Sequence, residues 1–176
     1  MQHSYKKTKA IFFDLDGTLV DTAPDMVNAL IQLMKKNNIK PVSYDHARKY
    51  VSEGSAGLIN IGFPNTRPEK QKLLQKQFLG IYEDSLSIKS KIFPYITKLL
   101  DSLEKQNITW GIVTNKPGYL TEPLLKDLNL YHRAICVISG DTLKTRKPDP
   151  APLIFACKKA QITPNEAIYI GDAARD

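Results

Sequence analysis

The sequence predicts an α/β protein in which a doubly wound parallel sheet is interrupted by an inserted helical segment. Short apolar runs that suit buried strands alternate with stretches of helical periodicity, which is typical of a parallel sheet covered by helices. Between the first two of these runs, residues 20–90 carry helical patterns alone. Polar residues follow each predicted strand, at the edge of the sheet where such proteins bind ligands.

The first predicted strand covers residues 8–13, a short apolar run that leads directly into acidic residues. A helix is expected next, because Thr22 can cap its first turn and Pro24 suits that turn. Its apolar face has the spacing i, i+3, i+4 and i+7, and is formed by Val27, Leu30, Ile31 and Met34. Asn37 and Asn38 can end this helix.

The rest of the inserted segment is also predicted to be helical. Residues 43–63 suit short helical pieces, which are broken by Gly54, Gly57, Gly62 and Pro64. Pro68 opens a longer helix, and one face of it is lined by Leu74, Phe78, Ile81, Tyr82 and Ser85. We therefore expect a helical domain over residues 20–90 and a sheet domain made of residues 1–19 and 91–176.

Three further strands are predicted after the insertion, over residues 108–113, 134–138 and 167–170. Proline residues indicate where the helices beside them begin, at Pro94, Pro117 and either Pro150 or Pro152. The apolar faces of the first two of these helices are formed by Ile96, Leu99, Leu100 and Leu103, and by Leu120, Leu124, Leu125 and Leu128. This order of elements predicts a parallel sheet.

Composition and charge argue against several classes of protein. No apolar run approaches the roughly 18 residues that a membrane-spanning helix needs. The formal net charge is +7, but the basic residues are scattered or paired, as at Lys6-Lys7, and no aromatic residues accompany them as in nucleic-acid binders. We expect neither a nucleic-acid nor a membrane partner. The polar N-terminal stretch, with Cys136 and Cys157 outside any metal-type spacing, predicts a cytoplasmic protein with reduced thiols.

An acidic pair, Asp14 and Asp16, follows the first predicted strand, and Gly17 and Thr18 indicate a tight turn after it. Two neighbouring carboxylates repel each other, so one can stay protonated, and one can then attack an electrophile while the other moves protons. Their oxygens also suit magnesium, which prefers an octahedron of oxygen ligands. The alternative is an acidic turn that merely caps the following helix.

Later strand ends carry further candidate residues. The Thr114 hydroxyl and the N–H groups beside it can hold phosphate oxygens, although a plain turn threonine has the same pattern. Lys147, in the sequence RKPDP, could neutralise a phosphate and a nucleophile, or could be a solvated loop lysine. Asp172 and Asp176 are four residues apart, so they could complete a cation site or simply favour a helix N-terminus.

Together these residues resemble the four motifs of the haloacid dehalogenase (HAD) superfamily, and the resemblance covers nearly the whole chain. The motifs are DLDGT at 14–18, IVTN at 112–115, KPDP at 147–150 and GDAARD at 171–176. They occur in order at the ends of the predicted elements. A chance match of all four would need four independent coincidences. Other stretches resemble phosphoglycolate phosphatases and the related N-acetylmuramic acid 6-phosphate phosphatase, namely VDTAPD at 20–25, YVSEGS at 50–55, ISGDTL at 138–143 and KPDPAPL at 147–153.

The resemblance implies a Rossmann-like core and a magnesium-dependent phosphatase. It implies that Asp14 attacks phosphorus to form an aspartyl-phosphate, while Asp16 protonates the leaving oxygen and then activates water. The phosphoryl group would be bound by Thr114, Asn115 and Lys147. Magnesium would be held by the carboxylates of Asp14 and Asp172 and the backbone carbonyl of Asp16. Asp176 would support the cation site or orient Lys147.

The helical insertion resembles the cap of this family, which selects the substrate. The candidate substrate contacts are Ser52, Glu53, Gly54 and Ser55, unless this stretch is only a helix-breaking loop. Members of the family continue past the fourth motif with another helix and strand. We therefore expect the C-terminal part of the core to be absent and the strand at 167–170 to lie at an edge.

The resemblance leaves several functions open. A small anionic phosphate ester is the expected partner, and phosphoglycolate is favoured over N-acetylmuramic acid 6-phosphate. Asp16 itself favours phosphate esters, because superfamily members that cleave carbon–halogen bonds lack this second acid. The same motifs also suit a sugar phosphomutase, or an inactive truncated form that binds phosphate or metal. The sequence sets neither the ester nor the oligomeric state.

Overall fold

The computed structural model describes residues 8–176, so the basic pair Lys6-Lys7 lies outside the described residues. The chain divides into two compact units. One unit contains the described residues up to Leu19 together with Ile92–Asp176, and the other contains Val20–Lys91. No helix in the described part of the chain is long and apolar enough to cross a membrane.

The strands, in chain order, are β1 (Ala10–Phe13), β2 (Val20–Asp21), β3 (Lys91–Ile92), β4 (Thr109–Val113), β5 (Val137–Ile138) and β6 (Ala167–Ile170). The helices are α1 (Ala23–Lys36), α2 (Tyr44–Arg48), α3 (Gly54–Gly62), α4 (Pro68–Glu83), α5 (Ile96–Lys105), α6 (Gly118–Asp127) and α7 (Ala151–Lys159). Within residues 8–176, two short 3₁₀ helices cover Val51–Glu53 and Pro164–Glu166.

The described part of the first unit contains a four-stranded sheet in the order β5-β4-β1-β6. Every pairing in this sheet is parallel, and Phe13 of β1 is in register with Ile112 on one side and Ile170 on the other. Strand β1 is therefore central, which explains why its sequence is almost continuously apolar. The predicted α/β class and parallel sheet are confirmed, and β6 lies at an edge of the described sheet, as expected.

Helices cover both faces of this sheet. On one face, Phe12 and Val113 pack with Ala156 and Cys157 of α7 in one buried cluster. On the other face, the Trp110 side chain is buried and its indole N–H donates a hydrogen bond of 2.9 Å to Glu104 at the end of α5. Because side chains alternate along β4, one strand contributes to both cores.

Some boundaries differ from the predicted ones. The predicted strand at 134–138 is regular only over Val137–Ile138, although Ile135 already donates a backbone hydrogen bond to Trp110. Helix α5 begins at Ile96 rather than Pro94, because Tyr95 takes a left-handed conformation with φ of 69°. Thr22 is the residue before α1, as predicted, but its hydroxyl donates to the Met26 sulfur instead of capping the helix.

The second unit is a group of four helices, α1 to α4, in which α4 packs against α1 and α3. The predicted apolar faces are largely buried, through Val27, Leu30 and Met34 on α1 and Leu74, Phe78 and Tyr82 on α4. The Asp25 carboxylate is buried near the start of α1 and accepts hydrogen bonds from the backbone of Lys89 and Ser90 and from the Ser90 hydroxyl. This carboxylate fixes the last residues of the unit to its first helix.

Candidate active site

The ends of the parallel strands bring the predicted residues of the first unit together. Asp14 directly follows β1, and its N–H donates to the carbonyl of Ile170, the last residue of β6. Thr114 directly follows β4, and its N–H donates to Ile138, the last residue of β5. The residues that follow these strands therefore meet at the carboxyl ends of the strands, where ligands bind in this class of fold.

The Asp14 carboxylate lies against the Lys147 ammonium, 3.0 Å from Oδ1 to Nζ, and both side chains are at most 4% exposed. Burial raises the pKa of Asp14, the nearby Lys147 charge opposes this rise, and the Asp16 charge adds to it. The Asp14 Oδ1 atom and the Lys147 nitrogen are close enough for an ion pair, but they are not aligned as in a hydrogen bond. Within residues 8–176, Asp14 Oδ1 therefore accepts no hydrogen bond. A further positive charge here would favour the ionised carboxylate.

Lys147 is held by more than this ion pair. Its ammonium donates to Asp176 Oδ1 and to the Tyr169 hydroxyl, both at 2.5 Å. The Asn115 amide donates to the Lys147 carbonyl at 2.9 Å, which fixes the backbone of the lysine to the end of β4. The prediction that Asp176 orients Lys147 is consistent with this geometry, while Asn115 contacts the protein chain and its predicted phosphate contact stays a prediction.

The Asp176 carboxylate turns back towards its own loop. Its Oδ2 accepts a hydrogen bond of 2.9 Å from the N–H of Ala173, and its side chain is only 4% exposed. Burial acts to raise the pKa of Asp176, but the hydrogen bonds from Lys147 and Ala173 hold it below its ordinary value. Asp176 is therefore the ionised partner of Lys147.

Tyr169 is a member of this cluster that the sequence reasoning did not identify. Its hydroxyl accepts from Lys147 and lies 3.0 Å from the Val113 carbonyl and 3.1 Å from Asp176 Oδ1. The Lys147 nitrogen is 5.1 Å from the centroid of the Tyr169 ring. This distance is close to the sum of two lengths, from the ring centroid to the hydroxyl oxygen and from that oxygen to the Lys147 nitrogen. The contact is thus at the hydroxyl end of the ring and is not a cation–π contact. Burial, with the Asp14 and Asp176 charges, raises the pKa of Tyr169, so the hydroxyl stays protonated.

Asp172 lies close to the turn that follows Asp14. The Thr18 hydroxyl donates to Asp172 Oδ1 at 3.1 Å. Gly17 has a φ of +87°, and a Cβ atom at this position would collide with the Asp172 carboxylate. Glycine is needed here for both reasons, since the left-handed conformation and the close approach each disfavour a side chain.

Three carboxylates, from Asp14, Asp172 and Asp176, offer oxygens within 4.8 Å of one another. Hard oxygen donors of this kind fit magnesium or a similar divalent cation. The Asp14 oxygen without a hydrogen bond and the raised pKa of Asp14 also fit a cation at this place. The metal ligands predicted from the sequence were Asp14, Asp172 and the backbone carbonyl of Asp16. The Asp16 carbonyl stays a prediction.

The Asp16 side chain points to a second lysine. The Lys116 ammonium lies 3.0 Å from Asp16 Oδ1, and the two side chains are 4% and 15% exposed. Lys116 was not among the predicted site residues, although it stands two positions after Thr114. The Thr114 hydroxyl is buried and accepts a hydrogen bond from the Lys116 N–H at 3.2 Å.

The candidate substrate contacts of the helical unit lie where a 3₁₀ turn leads into α3. Ser52 and Glu53 belong to the turn, and Gly54 and Ser55 begin the helix. Glu53 is exposed and the other three are half-buried. Their contact with substrate stays a prediction.

Comparison with known proteins identifies the family. The family model for haloacid dehalogenase-like hydrolases matches residues 11–176. The chain belongs to this family. The HAD resemblance and the prediction of a phosphatase enzyme are confirmed by this match and by the relatives of the chain.

A phosphoglycolate phosphatase from Xanthomonas campestris pv. campestris is 35% identical over 168 residues, which are 96% of this chain and 76% of the relative. An N-acetylmuramic acid 6-phosphate phosphatase from Pseudomonas putida is 34% identical over 171 residues, 97% of this chain and 77% of the relative. The crystal structure of a predicted phosphoglycolate phosphatase from Haemophilus somnus has a TM-score of 0.82 at 27% identity, and covers 94% of this chain and 77% of its own.

In this HAD phosphatase, the motifs predicted some residues of the site, and the structure alone reveals others. Asp14, Lys147, Asp172 and Asp176 were predicted and lie together. Lys116 and Tyr169 were not predicted, although each stands two residues from a predicted site residue or motif. A polar side chain in an otherwise aliphatic strand was the signal for Tyr169.

Proposed function

We propose that this chain is a magnesium-dependent phosphomonoester hydrolase that acts through an aspartyl-phosphate on Asp14, and that its substrate resembles phosphoglycolate. One observation carries this proposal, which is the buried Asp14 carboxylate held 3.0 Å from the Lys147 ammonium at the edge of the sheet. A carboxylate with no room for bulk solvent, beside a fixed positive charge, suits attack on a dianionic phosphate.

The cation site fits the residues that are present. Asp14 and Asp172 would hold magnesium through carboxylates and Asp16 through its carbonyl, while Asp176 stays with Lys147. Bound magnesium would offset negative charge on the phosphoryl group and on Asp14. The Thr114 hydroxyl and the Lys147 ammonium would contact the non-bridging phosphate oxygens.

In the first step, an Asp14 oxygen forms a bond to phosphorus while the bond from phosphorus to the ester oxygen breaks. Asp16 gives its proton to the departing oxygen, so the product leaves as a neutral alcohol group. Lys147 stays beside both Asp14 and the transferring group, which limits their mutual repulsion.

In the second step, the Asp16 carboxylate takes a proton from a water molecule whose oxygen bonds to phosphorus. The bond between phosphorus and Asp14 breaks, and inorganic phosphate leaves. Asp16 ends protonated and Asp14 ends as a carboxylate, so the next cycle begins from the same state. The side chain of Asp16 is 15% exposed, against 4% for Asp14, which suits a group that meets first the leaving oxygen and then water.

A panel of phosphate esters, assayed for phosphate release with and without magnesium, tests this proposal. It should contain 2-phosphoglycolate, N-acetylmuramic acid 6-phosphate, a hexose 1-phosphate and p-nitrophenyl phosphate. We expect hydrolysis that needs magnesium, with 2-phosphoglycolate among the best substrates. The related N-acetylmuramic acid 6-phosphate phosphatase makes that sugar ester the second candidate.

Trapping the intermediate tests the covalent route. Asp16→Asn should slow the second step, so acid-quenched protein should carry one phosphoryl group on Asp14 by peptide mass spectrometry. Asp14→Asn is the matched control and should carry none. No release from any ester by the wild-type chain would contradict the proposal, and a retained hexose bisphosphate would indicate a phosphomutase instead.

A further inference from the structure

Lys116 is a buried lysine that the mechanism above leaves without a role. Its side chain is 4% exposed and its ammonium lies 3.0 Å from Asp16 Oδ1, although the two residues are 100 positions apart in the sequence. Long amphipathic lysine side chains normally keep the ammonium in water, so a buried one is informative.

The position of Lys116 relative to the reacting atoms follows from Asp16. Asp16 must hydrogen-bond to the ester oxygen of the substrate in order to protonate it. The Lys116 nitrogen lies 3.0 Å from Oδ1 of the same carboxylate, whereas Lys147 pairs with Asp14 and Asp176. Lys116 therefore contacts the proposed acid, and Lys147 contacts the proposed nucleophile.

An ammonium carries three N–H donors, so Lys116 can contact Asp16 and a substrate anion at the same time. In an ester such as 2-phosphoglycolate, a single carbon separates the ester oxygen from the carboxylate. The Lys116 nitrogen and Asp16 Oδ1 are 3.0 Å apart. The ester oxygen of such a substrate can therefore meet Asp16 while its carboxylate meets Lys116. N-acetylmuramic acid 6-phosphate carries its carboxylate across the sugar ring from the phosphate and cannot make this contact in the same way.

We infer that Lys116 determines specificity by binding a carboxylate next to the ester oxygen, so that the chain acts on α-phosphooxy carboxylates. This inference rests on the proposed function, because it takes Asp16 as the acid that protonates the leaving oxygen. A lysine that only held Asp16 in place would affect all phosphate esters alike.

Two esters that differ only in this anionic group provide the test. 2-Phosphoglycolate and 2-hydroxyethyl phosphate have the same chain length, and the second has an uncharged CH₂OH in place of the carboxylate. We expect kcat/KM to be at least about tenfold higher for 2-phosphoglycolate, as for one hydrogen-bonded ion pair of limited exposure. The ratio of the two values cancels any effect on Asp16 that both esters share.

In Lys116→Met we expect this ratio to fall towards one, while Lys116→Arg should keep a preference for 2-phosphoglycolate. Lys116→Gln is a second uncharged variant that can still donate to Asp16, in case Lys116→Met does not fold by circular dichroism. Lys126→Met is the matched control, because Lys126 is half-exposed and paired with Glu122 on α6, and its ratio should equal that of the wild type.

The outcomes separate the inference from the proposed function. Equal rates on both esters in the wild type, or an unchanged ratio in folded Lys116→Met or Lys116→Gln, would overturn the role of Lys116 and leave a phosphatase. No magnesium-dependent release from either ester or from p-nitrophenyl phosphate would overturn the proposed function, and the inference with it.

Discussion

Among single side chains, Asp14 is the one on which the proposed chemistry most depends. We expect Asp14→Asn to lower phosphatase activity by several orders of magnitude, because an amide does not act as a useful nucleophile. The amide is nearly isosteric, and burial already raises the pKa of this carboxylate, so thermal stability should be equal to or above that of the wild type. Steady-state phosphate release and a thermal midpoint measure the two effects, and near-full activity in folded protein would contradict the mechanism.

Tyr169 is expected to act through Lys147. Tyr169→Phe removes the hydroxyl that accepts from the Lys147 ammonium at 2.5 Å, so the lysine should lose part of its orientation. We expect kcat to fall about tenfold, as for the loss of one hydrogen bond to a charged group, with a smaller change in KM. The double variant with Lys147→Ala is the control, since the tyrosine should then have little further effect. Additive losses in the double variant would argue for a separate, structural role.

The side chains that sequence reasoning could find are those whose neighbours in the chain form a motif. Asp14, Lys147 and Asp172 were predicted in this way. Lys116 and Tyr169 were not, because their importance arises from partners 100 and 22 residues away, Asp16 and Lys147. A pairing between distant residues depends on strand order and on which face each side chain takes, and local pattern does not specify either.

At the scale of elements, the turn after β1 depends on Gly17. Gly17→Ala places a Cβ in a left-handed conformation and against the Asp172 carboxylate. We expect activity to fall on the order of a hundredfold, because displacement of Asp172, the proposed cation ligand, would misalign the reacting groups. Gly80→Ala is the matched control, since a Cβ there meets nothing within 4 Å. Its activity should be unchanged and its helix slightly more stable. Equal activity in the two variants would contradict the requirement for glycine at position 17.

Tyr95, the residue before α5, has a backbone conformation that is unusual for a bulky side chain. Tyr95 has a φ of 69° and is 79% exposed, so a bulky side chain is strained without gaining a buried contact. We expect Tyr95→Gly to stabilise the protein by about 1 kcal/mol, a rise of roughly 2–4 °C in the thermal midpoint. Tyr95→Ala retains the Cβ and should show no such rise. A midpoint for Tyr95→Gly at or below that of Tyr95→Ala would contradict the strain.

Element types were predictable from periodicity, whereas boundaries depended on features that periodicity does not contain. The strand predicted at 134–138 is regular only over Val137–Ile138, where β5 pairs with Ile112 and Val113 of β4. The start of α5 moved because of the backbone conformation of Tyr95. Thr22 precedes α1 as predicted, yet its hydroxyl has a competing acceptor in Met26.

For the whole molecule, the arrangement of three carboxylates predicts a strict cation requirement. Excess chelator should abolish activity, added magnesium should restore it, and calcium should restore less than about a tenth, because its larger and looser coordination shell misaligns an in-line attack. Asp172→Asn should raise the magnesium concentration needed for half-maximal activity. Undiminished activity in chelator would remove this claim, and the Lys126→Met variant provides a control with no change in the cluster.

The buried Trp110 is the single tryptophan of the chain and lies in the α/β unit, which makes it an internal optical reporter. Its fluorescence follows the α/β unit alone, whereas far-ultraviolet ellipticity follows the helices of both units. Coincident urea transitions by the two signals would mean that the units unfold as one cooperative system. An ellipticity change that precedes the fluorescence change would assign the earlier transition to the helical unit, without any label or added probe.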